Sequence, residues 1–153
     1  MSEATGAEHV RWDLSDLYAG PDDPQLAADL DAAEQEAAAF RDAYHGRVDG
    51  LDAGDLAEAV ARLEALEQRV SRAGTYIQLL HAVRTDDPEV GAALTRIQER
   101  GTAIGNQVLF FQLEWQALDE ERAAARLADP ALAHYRHYLE TARRYSPYRL
   151  SEP

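Results

Sequence analysis

Leu94, Ile97, Gly101, Ile104, Val108, Phe111, Trp115 and Leu118 recur at alternating steps of three and four residues. That spacing returns to one face of an α-helix and to no face of a β-strand. Within the segment, Gly101 to Leu113 reads GTAIGNQVLFFQL and carries no charge. Leu109, Phe110, Leu113 and Ala117 fall on the opposite side, so the second half is apolar nearly all round. Such a helix is expected to lie buried between neighbours. The fold class that follows is all-α: an antiparallel bundle of about four helices, two of them long.

Helix starts are marked by one device used three times. Asp23-Pro24, Asp87-Pro88 and Asp129-Pro130 each set a carboxylate before a proline. The Asp can accept the free N–H groups of the first turn and sits at the positive end of the helix dipole. Proline has no N–H to lose there, and its fixed φ suits the first helical position. The first helix is predicted over 24–44, with Leu26, Leu30, Ala33, Ala37, Phe40 and Tyr44 on one face and Gly46 as its stop. After a connector capped by Asp52, the second is predicted over 54–83. Its stripe is Leu56, Ala59, Leu63, Leu66, Val70, Ala73, Ile77 and Leu80. Joined to the charge-free helix by the short 84–87 turn, it makes an antiparallel hairpin. Gly74, Gly91, Gly101 and Gly105 are expected to serve close packing inside one chain. The segment 120–129 is expected to be partly helical, and a last helix is predicted over 130–144 with Leu132, Tyr135, Leu139 and Ala142 inward. Residues 1–10 are expected to form a flexible N-terminus, and 11–153 a single helical domain. Trp12, Leu14, Leu17 and Tyr18 supply apolar surface for an arm pinned to the bundle.

Charge and composition exclude several functions. A net charge of −13 opposes binding to a nucleic-acid backbone. The absence of Cys removes disulfides, thiolate nucleophiles and Cys-ligated metals. The first ten residues have no secretory character, and no stretch is long and apolar enough for a membrane, so a cytoplasmic location is the expectation.

The chain offers little catalytic material. His134, His137 and Glu140 share one helical face and could present two nitrogens and a carboxylate of the kind zinc and iron accept. Bundle metal sites usually draw ligands from several helices, and the Glu-x-x-His signature is missing. Tyr135 and Tyr138 alternate with these His, as on a polar, partly exposed face, which is the simpler reading. No His is followed by Glu, so the zinc-peptidase motif His-Glu-x-x-His is absent. None of Ser2, Ser15, Ser71, Ser146 and Ser151 sits in a nucleophile turn. Glu114 closes the charge-free run and is expected to need an Arg or N–H partner, a structural role rather than a catalytic one. No catalytic or metal-binding residue is assigned, and the substrate-binding residues stay unassigned.

Read in order, several marks resemble the N-terminal domain of the oligoendopeptidase F family, related to thimet oligopeptidase. They are Trp12-x-Leu14-x-Asp16-Leu17-Tyr18, Phe40-x-x-x-Tyr44-x-Gly46, Tyr76-x-x-x-Leu80, Phe110-Phe111-x-Leu113-Glu114 and Leu132-x-x-Tyr135-x-x-x-Leu139. An Arg-rich turn and Pro147-Tyr148-x-Leu150-Ser151-Glu152 complete the series. The resemblance implies the N-terminal part of a longer polypeptide, a zinc-dependent oligopeptidase that hydrolyses short peptides. Zinc and the His-Glu-x-x-His helix would lie in a later catalytic domain, this segment's partner. The segment itself would hold no cofactor; it would help wall the substrate channel and be inactive alone. The residues also leave open a freestanding helical interaction or dimerisation module.

Overall fold

The computed structural model describes residues 13–144. Trp12, the N-terminus expected over 1–10 and the closing motif within 145–153 lie outside the described residues. Five α-helices follow in order: α1 (Pro24–Tyr44), α2 (Ala53–Val83), α3 (Pro88–Ala117), α4 (Glu120–Leu127) and α5 (Arg136–Arg143). Short 3₁₀ turns occupy Val48–Gly50 and Pro130–Leu132. No strand occurs among the described residues, and none of their helices is long and apolar enough to cross a membrane.

Each Asp-Pro pair caps as its chemistry predicts. Asp23 accepts the N–H of Gln25 at 2.8 Å, Asp87 those of Glu89 and Val90 at 3.0 and 3.3 Å, and Asp129 that of Ala131 at 2.8 Å. Asp52 caps α2 through the N–H of Asp55. Asp119, not singled out from the sequence, caps α4 through Arg122. Gly46 takes φ +72°, the left-handed conformation that stops α1 at low steric cost.

The three long helices form the core. α2 runs antiparallel to α1 and α3, which lie parallel to each other: Arg100 of α3 pairs with Asp31 and Glu34, and Phe110 and Phe111 meet Phe40 further along. All six inward residues of the α1 stripe are buried, as is the α2 stripe except Val70, which is partly so. Phe40, Phe111 and Trp115 are almost fully enclosed, and each such aromatic costs about 3–5 kcal/mol to truncate to Ala. At one end α4, the second 3₁₀ turn and α5 close over the core. Arginines tie that end together by capping carbonyls that helix termini leave free. Arg143 donates to the carbonyls of Trp115 and Leu118, Arg136 to that of Leu127, and Arg126 to those of Asp49 and Leu51. At the other end the N-terminal arm lies on α2, with Tyr18 buried against Tyr76 and Arg72 donating to the carbonyls of Asp16 and Leu17.

Three expectations need correction. The helix predicted over 130–144 is broken: bonds from Ala133 to Pro130 and from Tyr135 to Leu132 close 3₁₀ turns, and α5 starts only at Arg136. The break lets Leu132 pack toward α2 while Leu139 meets Trp115. The second half of α3 is not enclosed all round, since Leu109, Leu113 and Ala117 are exposed and only Phe110 of that group is buried. Of the four glycines assigned to close packing, only Gly101 has a neighbour where a Cβ would stand, the Val70 Cγ1 at 3.4 Å; Gly74, Gly91 and Gly105 face open space.

Candidate functional site

Glu114 organises the junction of three elements. Its carboxylate accepts the N–H of Gly46 at 2.7 Å and that of Val48 at 3.3 Å. It therefore anchors the end of α1 and the following turn to α3. The sequence asked for an Arg or N–H partner, and the structure supplies backbone N–H groups. Around it, Phe40 lies 5.9 Å from Phe110 and 5.5 Å from Phe111 between ring centroids, while Phe40 and Tyr44 stand 4.8 Å apart. The indole N–H of Trp115 donates to the Leu139 carbonyl at 3.0 Å.

This geometry gives the sequence marks a common meaning. Phe40-x-x-x-Tyr44-x-Gly46 touches Phe110-Phe111-x-Leu113-Glu114, and Leu139 is tied to Trp115, the residue after that mark. The opening mark meets Tyr76 of the third, for the Tyr18 and Tyr76 rings pack edge to face at 5.2 Å. Among the described residues the marks are contacts of one core. The Tyr18 hydroxyl donates to Asp29 at 2.8 Å, and burial followed by this bond pushes its pKa up to about 12.

His134, His137 and Glu140 do not assemble into a metal centre. His134 and His137 are exposed on the segment entering α5, and the His134 ring packs edge-on against Tyr135. Among the described residues no group of three or more His, Asp and Glu is placed to hold a metal ion. His81 lies in the last turn of α2 with its Nδ1 buried and unpartnered among the described residues. His45 lies against Phe110 at 4.9 Å.

The concave feature closest to a binding site is a groove along α2. One half, about 370 Å³, lies between α2 and α3: Leu66 and Val70 face Ile104 and Val108, and the helices stay open at Gly105 and Leu109. The other half, about 340 Å³, is walled by Glu64 and Glu67 of α2 and by His134, Tyr135, His137 and Tyr138 over Val60 and Leu63. Leu63, Glu67 and Tyr138 belong to both halves. Tyr135 donates to Glu64 at 3.1 Å. Burial, then the neighbouring Glu64 charge, raises the Glu67 carboxyl above its ordinary range. Sequence periodicity could not show this groove, because Tyr138 lies far from Glu64 and Glu67 in the chain.

A family model described as Oligopeptidase F matches residues 114–153. No curated protein matches the chain. Among solved structures, the chain is similar to the crystal structure of a protein from Chlamydophila abortus that is described there as a proposed peptidase. The likeness has a TM-score of 0.75 and 25% identity, and covers 92% of this chain. It covers 23% of the other chain, so this sequence spans about a quarter of that protein's length. The family match begins at Glu114, the residue that ties α3 to the end of α1. The family match and the fold thus agree with the core contacts that carry the sequence marks, and the chain resembles the N-terminal helical domain of the oligoendopeptidase F family.

Proposed function

We propose that this chain serves as the N-terminal helical domain of a zinc-dependent oligopeptidase that hydrolyses short peptides, and that it helps wall the substrate channel. The observation that carries the reading is the fold likeness, which spans nearly all of this chain and only a quarter of a longer protein. Zinc and the water-activating residues belong to a catalytic domain of the same polypeptide, which is the segment's partner. The exposed surface of α3 supports that partnership: Thr102, Asn106, Leu113 and Ala117 are exposed, and none carries a charge. A charge-free strip on so acidic a chain suits burial against another domain. The domain's contribution is steric and positional, and its location is cytoplasmic.

The test has two parts. The reading frame beyond the Pro153 codon is expected to run on and encode His-Glu-x-x-His; a stop codon there would overturn the reading. Purified residues 1–153 are expected to leave a quenched fluorescent peptide intact with or without zinc. Chelator-sensitive cleavage by this chain alone would also overturn it.

A further inference from the structure

We propose that the groove along α2 binds an extended peptide segment in which an apolar residue stands beside an Arg or Lys. The peptide nature of the ligand rests on the proposed peptidase reading. The side-chain preference comes from the groove itself.

The two halves differ in chemistry. The half between α2 and α3 is walled by Leu66, Val70, Ile104 and Val108, and an apolar side chain entering it displaces water at no polar cost. The second half places Glu64 and Glu67 beside Tyr135 and Tyr138, with no Arg among its lining residues and no Lys in the chain. Tyr135 engages Glu64, while no hydrogen bond or ion pair holds Glu67 among the described residues. Burial, then the adjacent Glu64 charge, raises the Glu67 carboxyl. An organic cation supplies a partner: the head meets the carboxylate, the Tyr138 face offers a cation–π contact, and the aliphatic stem lies over Val60 and Leu63. No three metal-donor side chains converge among the described residues, so a bare metal ion is the poorer fit.

Length fits as well. From Val60 to Ser71 the groove follows α2 for about 16 Å at the helical rise. That is the reach of about five extended residues, whose side chains alternate and so present neighbours to different walls. The shared wall of Leu63, Glu67 and Tyr138 is where the apolar and basic side chains part.

The experiment is an amide NMR titration of this chain with acetyl-Leu-Arg-Leu-amide, and with the same peptide carrying Gln or Glu in place of Arg. The Arg peptide is expected to bind with Kd on the order of 1 mM or tighter, to shift the resonances of Glu67, Gly105 and Tyr138, and to weaken as salt rises. Glu67→Gln is expected to weaken it about fivefold, as loss of a partly solvated ion pair does. Gly105→Leu, which fills the apolar half from an exposed helix position, is expected to weaken all three peptides while melting stays cooperative. Equal affinity for the Arg, Gln and Glu peptides, or shifts confined to other surfaces, would overturn the proposal. Because this titration needs no catalysis, its failure is distinct from failure of the peptidase reading, which the reading frame and cleavage assay decide.

Discussion

Removing the Glu114 carboxylate tests whether the junction it organises stabilises the fold. In Glu114→Ala the N–H groups of Gly46 and Val48 lose acceptors at 2.7 and 3.3 Å. Gly46 is exposed, so water can replace the carboxylate there, and most of the loss falls on Val48, whose residue is fully buried. A charge-assisted bond of this kind is worth about 1.5–3 kcal/mol, and stranding a buried donor costs about 1–3 kcal/mol. Discounting for the solvated Gly46 and the long second bond, the expected destabilisation is about 2 kcal/mol, or roughly 4–8 °C in Tm for a chain of this size. Glu114→Gln keeps an acceptor oxygen but turns an amide N–H₂ toward one of the donors, and is expected to cost roughly half as much. Urea unfolding followed by circular dichroism measures both, with the slope unchanged if only native stability has moved. A Glu114→Ala protein within about 0.5 kcal/mol of the parent would refute the reasoning, because the carboxylate would then be a bystander to an already solvated turn.

Gly74→Ala and Gly105→Ala are expected to stabilise by about 0.5–1 kcal/mol each, since both lie in helix interiors with open space where the Cβ would go; thermal melts showing a loss instead would reveal a close approach there. Tyr18→Phe removes the bond to Asp29 from a buried ring and is expected to cost about 1 kcal/mol, while ultraviolet titration should lose its last phenol, the one near 12. Glu67→Gln is expected to raise stability at neutral pH by a few tenths of a kcal/mol, a small figure because the side chain is exposed. The raised carboxyl stabilises the fold when protonated and loses that contribution as pH climbs from 4.5 through its folded value. The gain should therefore vanish in unfolding curves taken below pH 4.5.

The helical period and the Asp-Pro caps were sufficient for the long helices because inward burial and first-turn N–H satisfaction are local constraints. Leu26 to Tyr44 and Leu56 to Leu80 are legible for that reason. What failed depended on space between elements. The period places Leu109 and Leu113 on a second apolar face of α3, yet nothing in the chain says whether a neighbour covers it, and among the described residues none does. A glycine in a stripe reads as a close approach, but only Gly101 meets a side chain. The pattern around His134 and Tyr135 continues through the 3₁₀ break because a 3₁₀ turn alters the repeat by less than one residue. The groove was hidden altogether, for Glu64, Glu67 and Tyr138 become neighbours only when α5 folds back over α2.

The same contacts that carry the family likeness also set the shape of that groove. Glu114 holds the end of α1 to α3, and Trp115 and Arg143 hold α5 to the end of α3. Tyr138 therefore stands over α2 on an element held to α1 and α3 by these bonds and to α2 by the Tyr135–Glu64 bond at 3.1 Å. The proposed channel wall would require such rigidity, because a wall that yields by an ångström no longer discriminates by size. If the domain walls a channel as proposed, its influence on what reaches chemistry performed elsewhere would come from the stiffness of its core rather than from any single exposed side chain.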